Sequence, residues 1–401
     1  AFVPLVAPLL DDPDPDVRAG SMDVLRQAGA AAGQFADVLA DAAARYPERA
    51  GEPGFTTEYR AIETLQRLGD PRWVEPVCAA FARGHQFRFL PGGVRRTPEV
   101  LAAVRDRLTS EPRCAEVLAG VIGEWGTGAS VLVPALVAAL PYAGPQVAEA
   151  LLMLGHDEPA AVPYWRTRAV ETGDLRAALA VRRLTGDTEV ALDALRAILS
   201  GTARVPGDSM SVVDELGDAL APLLPDAAEF LTGSADPVYP RRDKQVLAAR
   251  IAAAVAGPER ALPTVEAVLV AGGTSARHAA DLVADLAQVS PAAVAHLAAR
   301  LVDRLDDSWS RLSAARALAR LGTPTAALVE PLSRGITDYG GRFAPAIILE
   351  LRAVETIPAL EALLNRDERF DLSGFADDIV WSDELLQERV SDTIARLREV
   401  R

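Results

Sequence analysis

At 401 residues the chain has room for two or three compact domains or for one long repeat array. Half of it is hydrophobic but only 5% is aromatic, so its apolar content is mostly Ala, Leu and Val, which suit close-packed helices better than a β-sandwich core. A net charge of −15 repels phosphate backbones and counts against non-specific nucleic-acid binding.

The first expected element is an apolar helix through Pro4, Leu5, Val6, Leu9 and Leu10. An Asp-Pro turn at Asp11–Asp16 follows, and Val17-Arg18 opens a second helix that runs past Leu25. The acidic run invites a calcium reading. It lacks the glycine at the sharp turn and the distal bidentate glutamate of an EF-hand loop, so N-capping aspartates are expected instead. The run stands where a signal peptide needs an apolar core, and no stretch approaches the roughly 20 uncharged apolar residues of a membrane span. Cys78 and Cys114 are too few and too isolated for a disulfide framework or a Cys-based metal site. A cytoplasmic location without membrane contact is the expectation. Ala1 already lies inside the first helix, as it does if the chain is trimmed from a longer one.

From Gly84 to Thr97 a basic, aromatic, Gly-Pro loop replaces an expected helix. Beyond it Gly123, Gly155 and Gly186 recur at steps of 32 and 31 residues, with Pro134 and Pro163 near the starts of first helices. His156-Asp157-Glu158 reads as a polar turn between repeats. Residues 200–211 and 233–242 are expected to be longer connections. Within the first, Gly207-Asp208-Ser209-Met210-Ser211 is no nucleophile elbow, because the motif is incomplete and no strand precedes it.

The last third repeats most clearly. Taking Gly257, Val289, Gly322 and Val354 as markers, the steps are 32, 33 and 32. Gly272-Gly273-Thr274-Ser275 reads as a helix cap, since the Lys-Ser/Thr ending of a phosphate loop is missing. A helix is expected over 308–321, with Trp309, Leu312, Ala315, Leu318, Ala319 and Leu321 largely on one face. Gly322 should supply its left-handed cap, and Pro324 the next start. Residues 367–384 are acidic and aromatic. A final helix over 385–400 carries Glu388, Arg389, Asp392, Arg396, Arg398 and Glu399 for a polar outer face.

The apolar helix, Asp-Pro turn, Val-Arg pattern of residues 4–18 and the period near 32 resemble the HEAT-repeat family over most of the chain. The resemblance implies an all-α fold, a right-handed α-solenoid of about a dozen antiparallel helix pairs. Residues 1–401 would form one array, interrupted by the insertion at 84–97 and the acidic segment at 367–384, with 385–400 as the capping helix. It also implies a non-catalytic scaffold that binds a partner protein or peptide on its concave surface, with no cofactor and no metal. Related HEAT-like enzymes supply the alternatives. DNA glycosylases of this type need a basic groove, and di-iron hydroxylases carry repeated His-Glu pairs. Here His85, His156, His278 and His296 lie far apart with no such pair, and no distinctive Cys site points to a bilin-type lyase.

Candidate binding residues fall in two groups. His85, Phe87, Arg88, Phe89, Arg95 and Arg96 lie in the insertion, where they either bind a partner or cover the gap left by a degenerate helix. Arg176, Arg277 and Arg311, like Arg60 and Arg342, stand near second-helix starts. They would either line a basic stripe or pair with Asp and Glu of the adjacent unit; the family habit and the acidic charge favour pairing.

Overall fold

The computed structural model describes residues 3–45, 57–82, 94–201, 205–206, 209–338, 343–366 and 379–400. Among these every regular element is an α- or 3-10 helix, and none is a strand. The chain forms two compact units, one of residues 1–168 with 180–186 and the other of residues 169–179 with 187–401.

The principal helices of the first unit are α1 (Pro15–Gln27), α2 (Ala36–Arg45), α3 (Thr57–Leu68), α4 (Val74–Ala82), α5 (Pro98–Ser110), α6 (Ala115–Trp125), α7 (Val133–Ala139) and α8 (Gly144–Met153). Two helices, α9 (Val162–Thr172) and α10 (Leu175–Thr185), contain two of the three places where the chain passes from one unit to the other; the third is at Gly186–Asp187. The second unit continues with α11 (Glu189–Ser200), α12 (Ser209–Leu216), α13 (Tyr239–Ala256), α14 (Pro258–Ala271), α15 (Thr274–Val289), α16 (Arg311–Arg320), α17 (Ala344–Glu350), α18 (Ile357–Leu364) and α19 (Ile379–Val400). Short α- and 3-10 helices of three to seven residues lie between several of them.

The Asp-Pro run at the N-terminus is a capping device. Asp14 accepts a hydrogen bond from the Asp16 N–H at 2.9 Å, satisfying one of the donors that the start of α1 leaves open. Arg18 reaches back to the Asp12 carbonyl at 2.7 Å and so ties α1 to its own entry turn.

Helix ends explain the periodic glycines. After α3, Gly69 takes φ +71°, its N–H bonds the Gln66 carbonyl, and the Asp70 N–H bonds the Leu65 carbonyl. The same pair of bonds closes α8 at Gly155 and α16 at Gly322. This geometry suits glycine because a Cβ is strained at positive φ. Two of the sequence markers stand away from the turns themselves. Gly123 lies inside α6, packed beside Met153 of α8, and the residue at positive φ is Gly126. In the last copy the turn is at Arg352, not Val354. Arg352 has φ +50°, and the flanking bonds run from Arg352 to Leu349 and from Ala353 to Ile348.

In the second unit α13 packs on α14, α14 on α15, and α15 on α16. Val246, Val268, Val283 and Leu318 are among the residues that carry one buried apolar cluster from helix to helix. The final helix α19 begins six residues before the expected start. It buries Leu386, Val390, Ile394 and Leu397 along one stripe and leaves Glu388, Arg389, Asp392, Arg396, Arg398 and Glu399 exposed. It rests on α17 and α18.

One expectation about membranes needs correction. The run Pro112–Ala139 is long and apolar enough to cross a membrane by length and composition. It is broken at Gly126, and Leu118, Val121, Ile122, Leu132 and Leu136 are fully buried within the first unit. Core packing accounts for the apolar character of those five residues, whereas Val131 in the same run is 54% exposed.

Candidate functional site

Charges recur along the second unit close to the repeat spacing. They are Asp214 on α12, Arg250 on α13, Asp285 on α15, Arg316 on α16 and Glu350 on α17. Each touches the next. Arg250 lies 2.6 Å from Asp214 and 2.5 Å from Asp285. Arg316 lies 3.4 Å from Asp285 and 2.9 Å from Glu350, and Arg320 also bonds Glu350. The result is a ladder of alternating sign that ties helix to helix. Burial opposes the charge on Arg250, but hydrogen bonds and Coulombic attraction from Asp214 and Asp285 outweigh it and hold its pKa above the ordinary arginine value.

A cleft of about 250 Å³ opens beside the upper rungs of this ladder. Its walls come from α15 (Arg277, Asp281), from the turn into α16 and α16 itself (Ser308, Trp309, Leu312, Ser313, Arg316), and from the start and body of α17 (Phe343, Ala346, Ile347, Glu350). Trp309 is 44% exposed and Phe343 40%. Trp309 precedes α16 and lies outside the buried stripe expected of it, while Leu312, Ala315 and Leu318 do enter the core. The Arg277 guanidinium stands 5.0 Å above the centre of the Phe343 ring, a cation–π contact. Burial pushes the Asp281 carboxyl above its ordinary range, against the opposing pull of the Ser313 hydroxyl and the Arg277, His278 and Arg316 charges. Burial and the Arg277 charge lower His278.

The sequence candidates scatter. His85, Phe87, Arg88 and Phe89 lie outside the described residues. The end of that insertion is pinned: the Arg95 N–H donates to the Gln66 carbonyl, and Thr97 caps α5 through the Val100 N–H. Trp125 donates to the Val94 carbonyl at 3.0 Å. Arg96 is exposed, and its guanidinium lies so close over Gly128 that a Cβ there would overlap it. Arg176 is exposed at the start of α10. Arg311 is 2% exposed, donates to the Leu305 carbonyl at 2.7 Å, and is ion-paired with Asp338. Its role is therefore structural. Arg60 likewise pairs with Asp23 at 2.8 Å, linking α3 to α1. Arg342 lies outside the described residues. Among the described candidates only Arg277 lines the cleft.

Trp309, Phe343, Asp281, Arg316 and Glu350 were not singled out as binding residues. A usable signal was present in the alternation of acid and base at near-repeat spacing. Cys78 and Cys114, isolated in sequence, meet in the fold. Both are buried, and they lie close enough to each other and to Arg107 to interact electrostatically. Burial above all, then Cys114, pushes the Cys78 thiol far up. Gly272 and Gly273 form a helix cap as expected, both at positive φ between α14 and α15. Among the described residues no group of three His, Cys, Asp or Glu side chains is placed to hold a metal ion. Comparison with known protein families, with curated proteins and with solved structures finds no match.

Proposed function

We propose that this chain is an interaction scaffold, a solenoid of stacked helix pairs of the HEAT-like kind, which binds a segment of a partner protein. The observation that carries this reading is the cleft of the second unit, where exposed Trp309 and Phe343 flank Arg277. Trp and Arg dominate binding hot spots, because they combine large apolar contact with directed hydrogen bonds. The ionic ladder supports the stacked-pair part of the reading, since it joins residues about one repeat apart. Its arginines are matched by carboxylates, which argues against a basic stripe for nucleic acid in this unit.

A photo-crosslinking amino acid in place of exposed Ser308 tests the proposal in cells. One discrete adduct is expected, with a partner that mass spectrometry identifies and that binds the purified chain at one-to-one stoichiometry. The same group in place of Val289, which is 87% exposed, is the control. No adduct from position 308, or an equal spread of adducts from both positions, would count against the scaffold reading.

A further inference from the structure

The cleft also carries information about the polarity of what it binds. Arg316 is shared among Asp281, Asp285 and Glu350, and Arg320 is bonded to Glu350. Arg277 differs. Among the described residues it makes no ion pair, and its recorded close partner is the face of Phe343. A guanidinium stacked on an aromatic face keeps its in-plane N–H groups available, and their fork matches a carboxylate. Asp281 lies within electrostatic range of Arg277, but it is engaged by Ser313 and lies 3.9 Å from Arg316.

The shape of the cleft limits the ligand further. A cleft of about 250 Å³ that is open to solvent has room for one anchoring side chain with its neighbour. The walls at Trp309, Leu312 and Ile347 are apolar, so that anchor is a large apolar side chain. Among the described residues Arg277 is the cleft arginine without an ion pair, and one guanidinium fork matches one singly charged carboxylate.

Building on the scaffold reading, we infer that the cleft receives a partner segment in which an acidic residue adjoins a large apolar one, the carboxylate on Arg277 and the apolar side chain against Trp309. This preference runs opposite to the chain's overall field. A protein of net charge −15 attracts basic peptides non-specifically. A site-specific preference for acid is therefore separable from bulk electrostatics.

The test uses the full chain and three fluorescein-labelled, acetylated and amidated peptides of alternating Glu/Leu, Gln/Leu and Lys/Leu, read by fluorescence anisotropy at physiological salt. The Glu/Leu peptide is expected to bind about tenfold more tightly than the Gln/Leu peptide. Arg277→Gln should abolish that preference, Arg277→Lys should keep part of it, and Trp309→Ala should weaken both peptides alike. Circular dichroism checks that each variant is folded, and Arg277→Lys keeps the comparison readable if Arg277→Gln is not. The inference is overturned if the Lys/Leu peptide binds most tightly and loses that binding in Trp309→Ala, if Arg277→Gln leaves the Glu/Leu preference intact, or if folded wild-type chain binds none of the peptides at millimolar concentration. A crosslinked partner whose binding ignores Arg277→Gln would sink this inference and leave the scaffold standing; loss of the adduct at position 308 would remove the scaffold itself.

Discussion

At Glu350 two guanidiniums converge on one carboxylate. Burial works against its charge, but hydrogen bonds from Arg320 and Arg316 and their Coulombic pull outweigh this and hold the carboxyl below its ordinary value of 4.5. A carboxylate whose pKa is lower in the folded chain contributes stability that is fully present above the unfolded value. That contribution is lost as pH falls through the folded one. Glu350→Gln should therefore cost about 1 kcal/mol at pH 7, a modest figure because the pair is partly solvated. The deficit should shrink as pH drops below about 4.5. Urea midpoints of both proteins across that range measure it, and a deficit that does not vary with pH would refute the assignment. The sequence carried the general expectation that arginines pair between units. It could not supply the partners, because Arg250 reaches Asp285 across 35 residues and Glu350 meets Arg316 across 34. Lys244, the one lysine of the chain, shows the same limit. Its amine bonds the Leu199 carbonyl at 3.0 Å and also the Gly201 carbonyl, closing the end of α11.

At the scale of elements part of the glycine period was legible because its cause is local. A helix that ends in a left-handed residue favours glycine whatever it packs against, so Gly155 and Gly322 could be read as turns before any tertiary contact was known. Arg352 was missed for the same reason, since it occupies that geometry without the residue that announces it. The two positions make opposite predictions. Gly322→Ala, at φ +96°, should lose about 1 kcal/mol, and Arg352→Gly should gain up to about 1 kcal/mol by relieving the left-handed strain. Thermal midpoints compare the two directly. Equal effects of the same sign would mean that helix ends do not set the repeat. Trp309 was misplaced because periodicity assigns a face only while the helix lasts, and α16 starts at Arg311.

On the scale of the whole molecule, the helical class followed from composition and period, whereas the cleft did not. Its residues come from three segments spaced by about one repeat, 277–281, 308–316 and 343–350, and nothing in any one of them marks the others. Their meeting depends on α15, α16 and α17 being held side by side, which is what the ladder does. If the proposed array is correct, stability is close to a sum of each repeat and its nearest neighbours, so damage stays local. Arg250→Met tests this. It removes a 7%-exposed guanidinium from two carboxylates that remain partly solvated, at a cost of roughly 2 kcal/mol. Hydrogen exchange should then accelerate in α12, α13 and α15, the helices that Arg250 joins. Exchange in α5 to α8 of the first unit should be unchanged. A uniform acceleration along the chain would mean that the two units unfold as one cooperative body, and the additive picture of neighbouring repeats would have to be given up.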